Sequence, residues 1–144
     1  MDIAISMLDG GLQLPAYAHE GDAGLDLRST IDGVLRPGER MTVPCGFAIA
    51  IPDGYAGLVV PRSGLASRHG ISLVNAPGLI DAGYRGEIRV VLINLDDHEA
   101  FSFSRGDRIA QLVIIALPSI TLHNTETLPE SQRGARGFGS SGVQ

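Results

Sequence analysis

The sequence has no tryptophan, no lysine and only one cysteine, and aromatic residues make up 5% of its 144 residues. A core with so few rings must be built from Val, Ile, Leu and Ala. One cysteine excludes an intramolecular disulfide and argues against a cysteine-based zinc site. Because Cys45 lies in an apolar run, we predict a small buried hydrophobic residue there rather than a nucleophile.

All 11 basic residues are arginine, and the formal net charge is −5. An acidic total argues against a general nucleic-acid binder, which needs a broad basic face. Arginine suits planar phosphate recognition, but a GC-rich genome produces the same bias, and we favour the genomic explanation. No apolar run approaches the ~20 residues of a membrane span, and acidic residues interrupt the N-terminal one. We therefore expect no signal peptide and a cytoplasmic protein.

Nineteen glycines and eight prolines imply many turns, which favours short strands in one domain of 144 residues. The predicted strands are residues 2–7, 33–36, 40–44, 47–51, 57–60, 71–74, 87–95, 100–103, 108–117 and 120–123. Only residues 63–69 have a helical pattern. This spacing predicts an all-β sandwich or jelly-roll rather than alternating βαβ units. Residues 130–144 are rich in glycine and serine, which predicts a mobile tail, with ordering on a ligand left open.

Four segments carry more glycine and polar residues than a turn needs: residues 21–27, 61–66, 75–87 and 133–142. In the second, Arg62 and the Ser63 hydroxyl lie where a helix begins, which suits a phosphate cradle. Each segment also has an ordinary explanation. Asp22 and Asp26 suit turns, residues 62–64 suit a helix cap, and residues 81–84 suit a hairpin loop. The tail suits a flexible Arg/Gly segment with weak RNA affinity.

Five segments, taken in order, resemble the motifs of the trimeric dUTPase family. They are residues 18–27 (AHEGDAGLDL), 61–66 (PRSGLA), 75–87 (NAPGLIDAGYRGE), 105–112 (RGDRIAQL) and 133–142 (RGARGFGSSG). The resemblance implies an all-β, distorted jelly-roll or β-barrel with one short helix, assembled as a homotrimer with active sites shared between subunits. It also implies a β-domain over residues 1–128 and a flexible C-terminal tail over residues 129–144 that closes over the site.

The resemblance implies Mg²⁺-dependent hydrolysis of dUTP to dUMP and pyrophosphate, which lowers dUTP and supplies dUMP for thymidylate synthesis. Asp81 matches the base that deprotonates the water attacking the α-phosphorus, and Gln111 matches a further catalytic polar contact. Asp26 matches the residue that holds Mg²⁺ through water. The other implied substrate contacts are Arg62, Ser63, Gly64, Asn75, Gly78, Leu79, Ile80, Tyr84, Arg89, Arg133, Phe138, Gly139 and Ser140.

The same resemblance implies which part of the substrate each residue contacts. Main-chain groups near Leu79 and Ile80 match those that read the uracil edge, and Tyr84 matches the ring that packs on deoxyribose and excludes a 2′-hydroxyl. Phe138 matches the ring that stacks on uracil, while Arg133 and Ser140 match γ-phosphate contacts. Position 89 carries Lys in many relatives, so the substrate role of arginine there stays open.

Three alternatives remain: a dCTP deaminase-like enzyme, a non-catalytic dUTP-binding module on the same fold, and an RNA-binding protein. Asp81 argues against the second, and the acidic net charge argues against the third. We interpret residues 96–99 as a solvated hairpin loop rather than a metal cluster, and His69 and His123 as surface residues. Asp107 and Arg108 are interpreted as a turn and an ion pair.

Overall fold

The computed structural model describes residues 1–132, 134 and 135, in which short antiparallel strands dominate. The elements are β1 (Ala4–Met7), β2 (Leu25–Arg28), β3 (Gly33–Leu35), β4 (Arg40–Ala50), β5 (Tyr55–Pro61), α1 (Ser63–His69), β6 (Ile71–Leu73), β7 (Gly78–Ile80), β8 (Glu87–Asn94), β9 (Phe101–Phe103) and β10 (Arg108–Ala116). No helix within these residues is long and apolar enough to cross a membrane.

The strands form two four-stranded sheets and one two-stranded ribbon. The first sheet has the order β1-β4-β8-β6, the second has the order β2-β10-β5-β7, and β3 pairs with β9. One apolar cluster joins residues from both larger sheets, including Phe47 and Leu92 from the first and Leu27 and Leu112 from the second. The predicted all-β fold with one short helix is therefore confirmed, and aliphatic side chains build most of its core.

Strand β8 shows why an alternating sequence folds this way. Its buried residues Ile88, Val90, Leu92 and Asn94 are two positions apart and share one face, as the period of a strand requires. Asn94 is a polar residue on that face, and its Nδ2 donates hydrogen bonds to the carbonyls of Leu35 (2.9 Å) and Glu99 (2.8 Å). These bonds satisfy the buried amide and tie β8 to the β3–β9 ribbon.

Strand β4 is continuous where the sequence predicted two strands separated near residue 45. The pairing with β8 shifts between Pro44 and Ala48, which marks a β-bulge. Gly46 lies in this bulge with φ of 74°, a backbone conformation that residues other than glycine rarely adopt. The proline and glycine thus bend the strand without ending it.

Two further differences concern elements that the sequence pattern did not predict correctly. Strands β2 and β7 were not predicted, because each overlaps a glycine-rich segment. Conversely, residues 120–123 are not a strand, so that prediction is wrong. Ile120 and Leu122 are 74% and 89% exposed, since no strand of the described chain pairs with this alternating run.

Candidate functional site

A pocket lies beside the hairpin formed by β7, the following turn and the start of β8. Its cavity is about 210 Å³ and is lined by Leu79, Ile80, Asp81, Tyr84, Glu87, Ile88 and Arg89. The turn closes through a hydrogen bond from the Tyr84 N–H to the Asp81 carbonyl, 3.0 Å long. Arg85 supports it by donating from Nη1 to the carbonyl oxygens of Ala82 (2.5 Å) and Tyr84 (2.8 Å). The hairpin thus presents an exposed carboxylate, that of Asp81, at the rim of a small cavity.

The wall of this pocket contains an acid that the sequence analysis did not select, Glu87. Its Oε2 accepts a hydrogen bond from Arg89 Nε at 3.2 Å, and Arg89 Nη2 lies 3.2 Å from the same oxygen. Its Oε1 accepts the N–H of Gly46 at 3.1 Å. The signal for this pair is the two-residue spacing at the start of β8, which places both side chains on one face of the strand.

A second recess beside β7 brings together other predicted contacts. Asn75, Gly78, Leu79 and Arg89 are among its lining residues. A Cβ at Gly78 would lie 3.2 Å from Asn75 Nδ2, so glycine allows the amide to pack closely against the hairpin backbone. The predicted hairpin residues therefore do meet around β7.

A separate group of charges surrounds Asp26 in β2. This carboxylate is 6% exposed and lies between two arginines, with Arg62 Nε 3.4 Å from Oδ1 and Arg108 Nη1 3.1 Å from Oδ2. Arg62 also donates from Nη1 to the Arg108 carbonyl at 3.0 Å. Because two positive charges face one negative charge, this cluster carries a net positive charge at neutral pH.

Gln111 joins the Asp26 cluster through strand pairing. It lies opposite Asp26 in the pairing of β10 with β2, and opposite Val60 in the pairing of β10 with β5. A Cβ at Gly24 would lie 3.1 Å from the Gln111 Cβ, so the glycine of the first motif leaves space for this side chain. The sheet therefore brings together residues from three predicted motifs.

The second predicted motif follows β5 directly. Ser63 is exposed at the first residue of α1, and Arg62 precedes the helix without a side-chain capping bond. The alternative interpretation of residues 62–64 as a helix cap is thus met in position, since Arg62 is the N-cap residue, but without a side-chain capping bond. Gly70 ends the helix in the left-handed conformation (φ 64°), and its N–H bonds to the Ala66 carbonyl.

The hairpin pocket and the Asp26 cluster lie apart in a single chain. β2 and β7 are the two edge strands of the same sheet, with β10 and β5 between them. Three strand spacings of ~4.8 Å separate these edges by about 14 Å. The hairpin pocket is not lined by Asp26, Arg62, Ser63 or Gln111. The predicted tail contacts Arg133, Phe138, Gly139 and Ser140 lie outside the described residues.

Several polar residues have structural roles. Asp22 is exposed and accepts the His19 N–H at 2.8 Å, as expected for a turn acid, whereas Asp26 is not one. Asp107 accepts the Ser104 N–H at 2.8 Å, which confirms the predicted turn. Arg108, however, is paired with Asp26 in the candidate site.

The loop after β8 is held by its own acid. Asp96 Oδ1 accepts the N–H groups of His98 and Glu99, each at 2.8 Å, and these bonds lower the pKa of Asp96. Within residues 1–132, 134 and 135, no group of three or more His, Cys, Asp or Glu side chains is arranged to hold a metal ion.

The remaining residues singled out from the sequence are structural or exposed. Cys45 is buried as predicted, and burial together with the nearby Glu87 carboxylate raises the pKa of its thiol to about 12. His69 and His123 are exposed as predicted, and the His69 ring lies 5.3 Å from that of Phe101.

An antiparallel β-domain with a hairpin pocket and a separate positive cluster is typical of proteins that bind an anionic organic ligand. The model of the dUTPase family matches residues 11–142, which is most of the chain. The chain belongs to the dUTPase family.

Two relatives that match nearly the whole chain carry the same enzyme name. A deoxyuridine 5′-triphosphate nucleotidohydrolase from Tropheryma whipplei (strain Twist) is 56% identical over 140 residues, covering 97% of this chain and 96% of the relative. The enzyme of the same name from Thermobifida fusca (strain YX) is also 56% identical over 140 residues, covering 97% and 78% respectively.

Solved structures agree with the fold. A dUTPase of Staphylococcus bacteriophage 80alpha, bound to dUpNHpp, has a TM-score of 0.90 at 31% identity and covers 99% of each chain. A variant dUTPase from phage phi11 of S. aureus, whose structure describes coordination of a structural Mg(II) ion, has a TM-score of 0.82 at 26% identity. That comparison covers 90% of this chain and 100% of the phage chain.

Proposed function

We propose that this protein hydrolyses dUTP to dUMP and pyrophosphate. The observation that carries the proposal is the hairpin pocket, because a cavity of about 210 Å³ lies beside the exposed carboxylate of Asp81. The chain belongs to the dUTPase family. Its hairpin resembles the segment that recognises uracil in that family. A carboxylate at the rim of the pocket is in contact with solvent, so it can accept a proton from a water molecule.

Asp81 acts as the general base and removes a proton from the water that attacks the α-phosphorus. The bond from that phosphorus to the bridging oxygen breaks, and pyrophosphate leaves with the bridging oxygen. Arg62 and Arg108 carry the positive charge of the Asp26 cluster, which suits the developing negative charge of a triphosphate. Gln111 on β10 provides a polar contact, and so do Ser63 and Gly64 at the start of α1.

The residues of this chain fit a Mg²⁺ ion that is held mainly by substrate and water. Asp26 is a single carboxylate rather than a ligand cluster, and its buried Oδ1 accepts no hydrogen bond, although Arg62 Nε lies 3.4 Å from it. Mg²⁺ keeps several waters and often uses only one or two carboxylates plus phosphate oxygens. Asp26 would therefore hold the ion through water. When bound, Mg²⁺ supplies charge that offsets the triphosphate.

Base and sugar selectivity come from the hairpin. The backbone of Leu79 and Ile80 reads the uracil edge, and a donor in place of an acceptor, as in cytosine, leaves polar groups unpaired. Asn75 and Gly78 support this backbone, and Tyr84 covers the sugar. Arg89, held by Glu87, lies beside the pocket and is a further substrate contact.

We also propose that each active site is shared between the subunits of a homotrimer. The support is the topology of one chain, because β2, which carries Asp26, and β7, which begins the hairpin, are opposite edge strands of one sheet about 14 Å apart. Exposed apolar side chains on the segment after β10, among them Leu117, Ile120 and Leu122, give that segment a surface for packing on a neighbour. It leads into the tail of residues 129–144, whose contacts Arg133, Phe138, Gly139 and Ser140 close over the substrate.

Pyrophosphate release tests the activity directly. The assay compares dUTP with dTTP, dCTP and UTP, each with and without Mg²⁺, and monitors ammonia in parallel. Of the four nucleotides, we expect only dUTP to release pyrophosphate rapidly, and only when Mg²⁺ is present. Ammonia release from dCTP would instead identify a deaminase, and dUTP binding without turnover would identify a non-catalytic module.

A mixing experiment tests the shared site. Asp81→Asn and a variant lacking residues 133–144 are each expected to be inactive, and the two are dissociated and reassembled in equal amounts. A site is complete when its hairpin comes from a truncated chain and its tail comes from an Asp81→Asn chain. Random assembly then restores about a quarter of the sites, by counting over a cyclic trimer. Mixed trimers verified by mass that recover no activity would contradict sharing.

A further inference from the structure

The ring of Tyr84 lies directly over the residue two positions further along the chain, Gly86. A Cβ added at Gly86 would lie 2.6 Å from Tyr84 Cζ and 3.0 Å from Cε2, and it would meet Tyr84 Oη still more closely. Oη in turn donates a hydrogen bond to the Glu87 carbonyl at 3.0 Å. The ring is therefore held between a hydrogen bond at its tip and a bare backbone beneath it.

The backbone conformation does not explain the glycine at this position. The described glycines with positive φ are Gly21, Gly38, Gly46, Gly54, Gly70, Gly106 and Gly134, and Gly86 is not among them. Alanine can therefore adopt the backbone conformation of Gly86 without strain. What alanine cannot do is leave the Tyr84 ring in its place.

We propose that Gly86 is a positioning residue that sets how deeply the Tyr84 ring lies in the hairpin pocket. It thereby sets the selectivity of the enzyme for dUTP over UTP. The inference rests on the proposed function, in which Tyr84 covers the sugar. A methyl group at residue 86 lifts the ring off the hairpin backbone and breaks the bond from Oη to the Glu87 carbonyl. The lifted ring no longer closes the space that a 2′-hydroxyl would occupy.

The displacement affects the pocket rather than the fold. Tyr84 is 45% exposed, so its ring can rotate toward solvent without opening the core. The neighbouring Gly83 offers a matched control, because a Cβ there meets no atom within 4 Å beyond its two chain neighbours, and its φ is not positive either. Gly83→Ala and Gly86→Ala thus add the same methyl group to the same loop, and the second places it within 3.0 Å of the ring carbons of Tyr84.

The test measures kcat/KM for dUTP and for UTP in the wild type, Gly86→Ala and Gly83→Ala, together with the melting temperature of each. We expect Gly86→Ala to lower the dUTP/UTP selectivity by about tenfold or more, as changes of one carbon in a binding pocket do. Its melting temperature stays near the wild-type value, and Gly83→Ala keeps the wild-type selectivity. Unchanged selectivity in Gly86→Ala overturns the inference.

A second comparison separates an effect through the ring from a general effect on the loop. In a Tyr84→Ala background there is no ring to displace, so adding Gly86→Ala leaves the selectivity of the single variant unchanged. A further loss in the double variant shows that Gly86 does not act through Tyr84, which overturns the inference. Failure of the wild-type protein to hydrolyse dUTP overturns the proposed function and this inference together, whereas unchanged selectivity in an active Gly86→Ala overturns the inference alone.

Discussion

Replacing Asp26 by asparagine is expected to destabilise the fold and to raise the Mg²⁺ concentration that the protein requires. The change removes the negative charge that faces Arg62 and Arg108, at 3.4 and 3.1 Å, from a side chain that is 6% exposed. Losing one partner of a fully buried ion pair costs about 3–5 kcal/mol. Here the two arginine side chains keep 26% and 41% of their exposure, so water solvates them when the carboxylate is lost.

Two features therefore reduce the magnitude. Solvent screening weakens each ion pair, and the asparagine carbonyl still accepts one hydrogen bond, so we expect a loss of roughly 1–3 kcal/mol in the free energy of unfolding. For a chain of this size that loss lowers the melting temperature by roughly 3–10 °C. In the proposed mechanism the same change raises the Mg²⁺ concentration needed for half-maximal dUTP hydrolysis.

The assay combines thermal melts at equal protein concentration, which an oligomer requires, with Mg²⁺ titrations of dUTP turnover. Asp97→Asn is the matched control, because it removes the same charge from an exposed loop side chain. A melting temperature within ~1 °C of the wild type would refute a stabilising role for the Asp26 cluster. An unchanged Mg²⁺ titration would remove Asp26 from the proposed site.

Three further predictions follow the same reasoning. Asp81→Asn should reduce kcat to a few per cent of wild type or less while dUTP binding persists, since a general base acts mainly on the transition state; equilibrium binding and turnover check this. Burial raises the pKa of the Cys45 thiol to about 12, so a thiol reagent at pH 8 should modify the unfolded protein but not the native protein. The free energy of unfolding should also fall as the pH rises above ~9, because the thiol ionises in the unfolded chain before it ionises in the native protein. Gly46→Ala should destabilise the protein more than Gly38→Ala in denaturant melts, because both glycines have positive φ but only a Cβ at Gly46 meets other atoms, at 2.7 and 2.8 Å.

Much of the fold follows from local patterns. The long strands β8 and β10 alternate or run apolar over eight and nine residues, and their bounds differ from the prediction by one residue. Strand β4 was divided at residues 45–46, because proline and glycine normally end a strand and a bulge is not visible without the partner strand. The run at residues 120–123 has the alternation of a strand but lacks a partner in the described chain.

The candidate site could be predicted by motif but not by arrangement. The resemblance selected Asp26, Asp81 and Gln111, yet the pairing of Asp26 with Arg62 and Arg108 depends on the register of β2, β10 and β5. Local spacing does not specify which distant arginine reaches a carboxylate. The role of Glu87 could not be predicted for a similar reason, because one of its hydrogen-bond partners, Gly46, is 41 residues away in the sequence.

The peptide of Gly46 connects the N-terminal segment to the wall of the pocket. Its carbonyl accepts the N–H groups of Leu8 (2.8 Å) and Asp9 (3.0 Å), and its own N–H donates to the Glu87 carboxylate. In hydrogen exchange, amides bonded across a central strand open only with the sheet, whereas the bond from this amide to a side chain breaks whenever the Glu87 side chain rotates away. Its exchange rate therefore reports local opening of the pocket wall, and a slower rate with bound nucleotide signals that the ligand holds Glu87 in place.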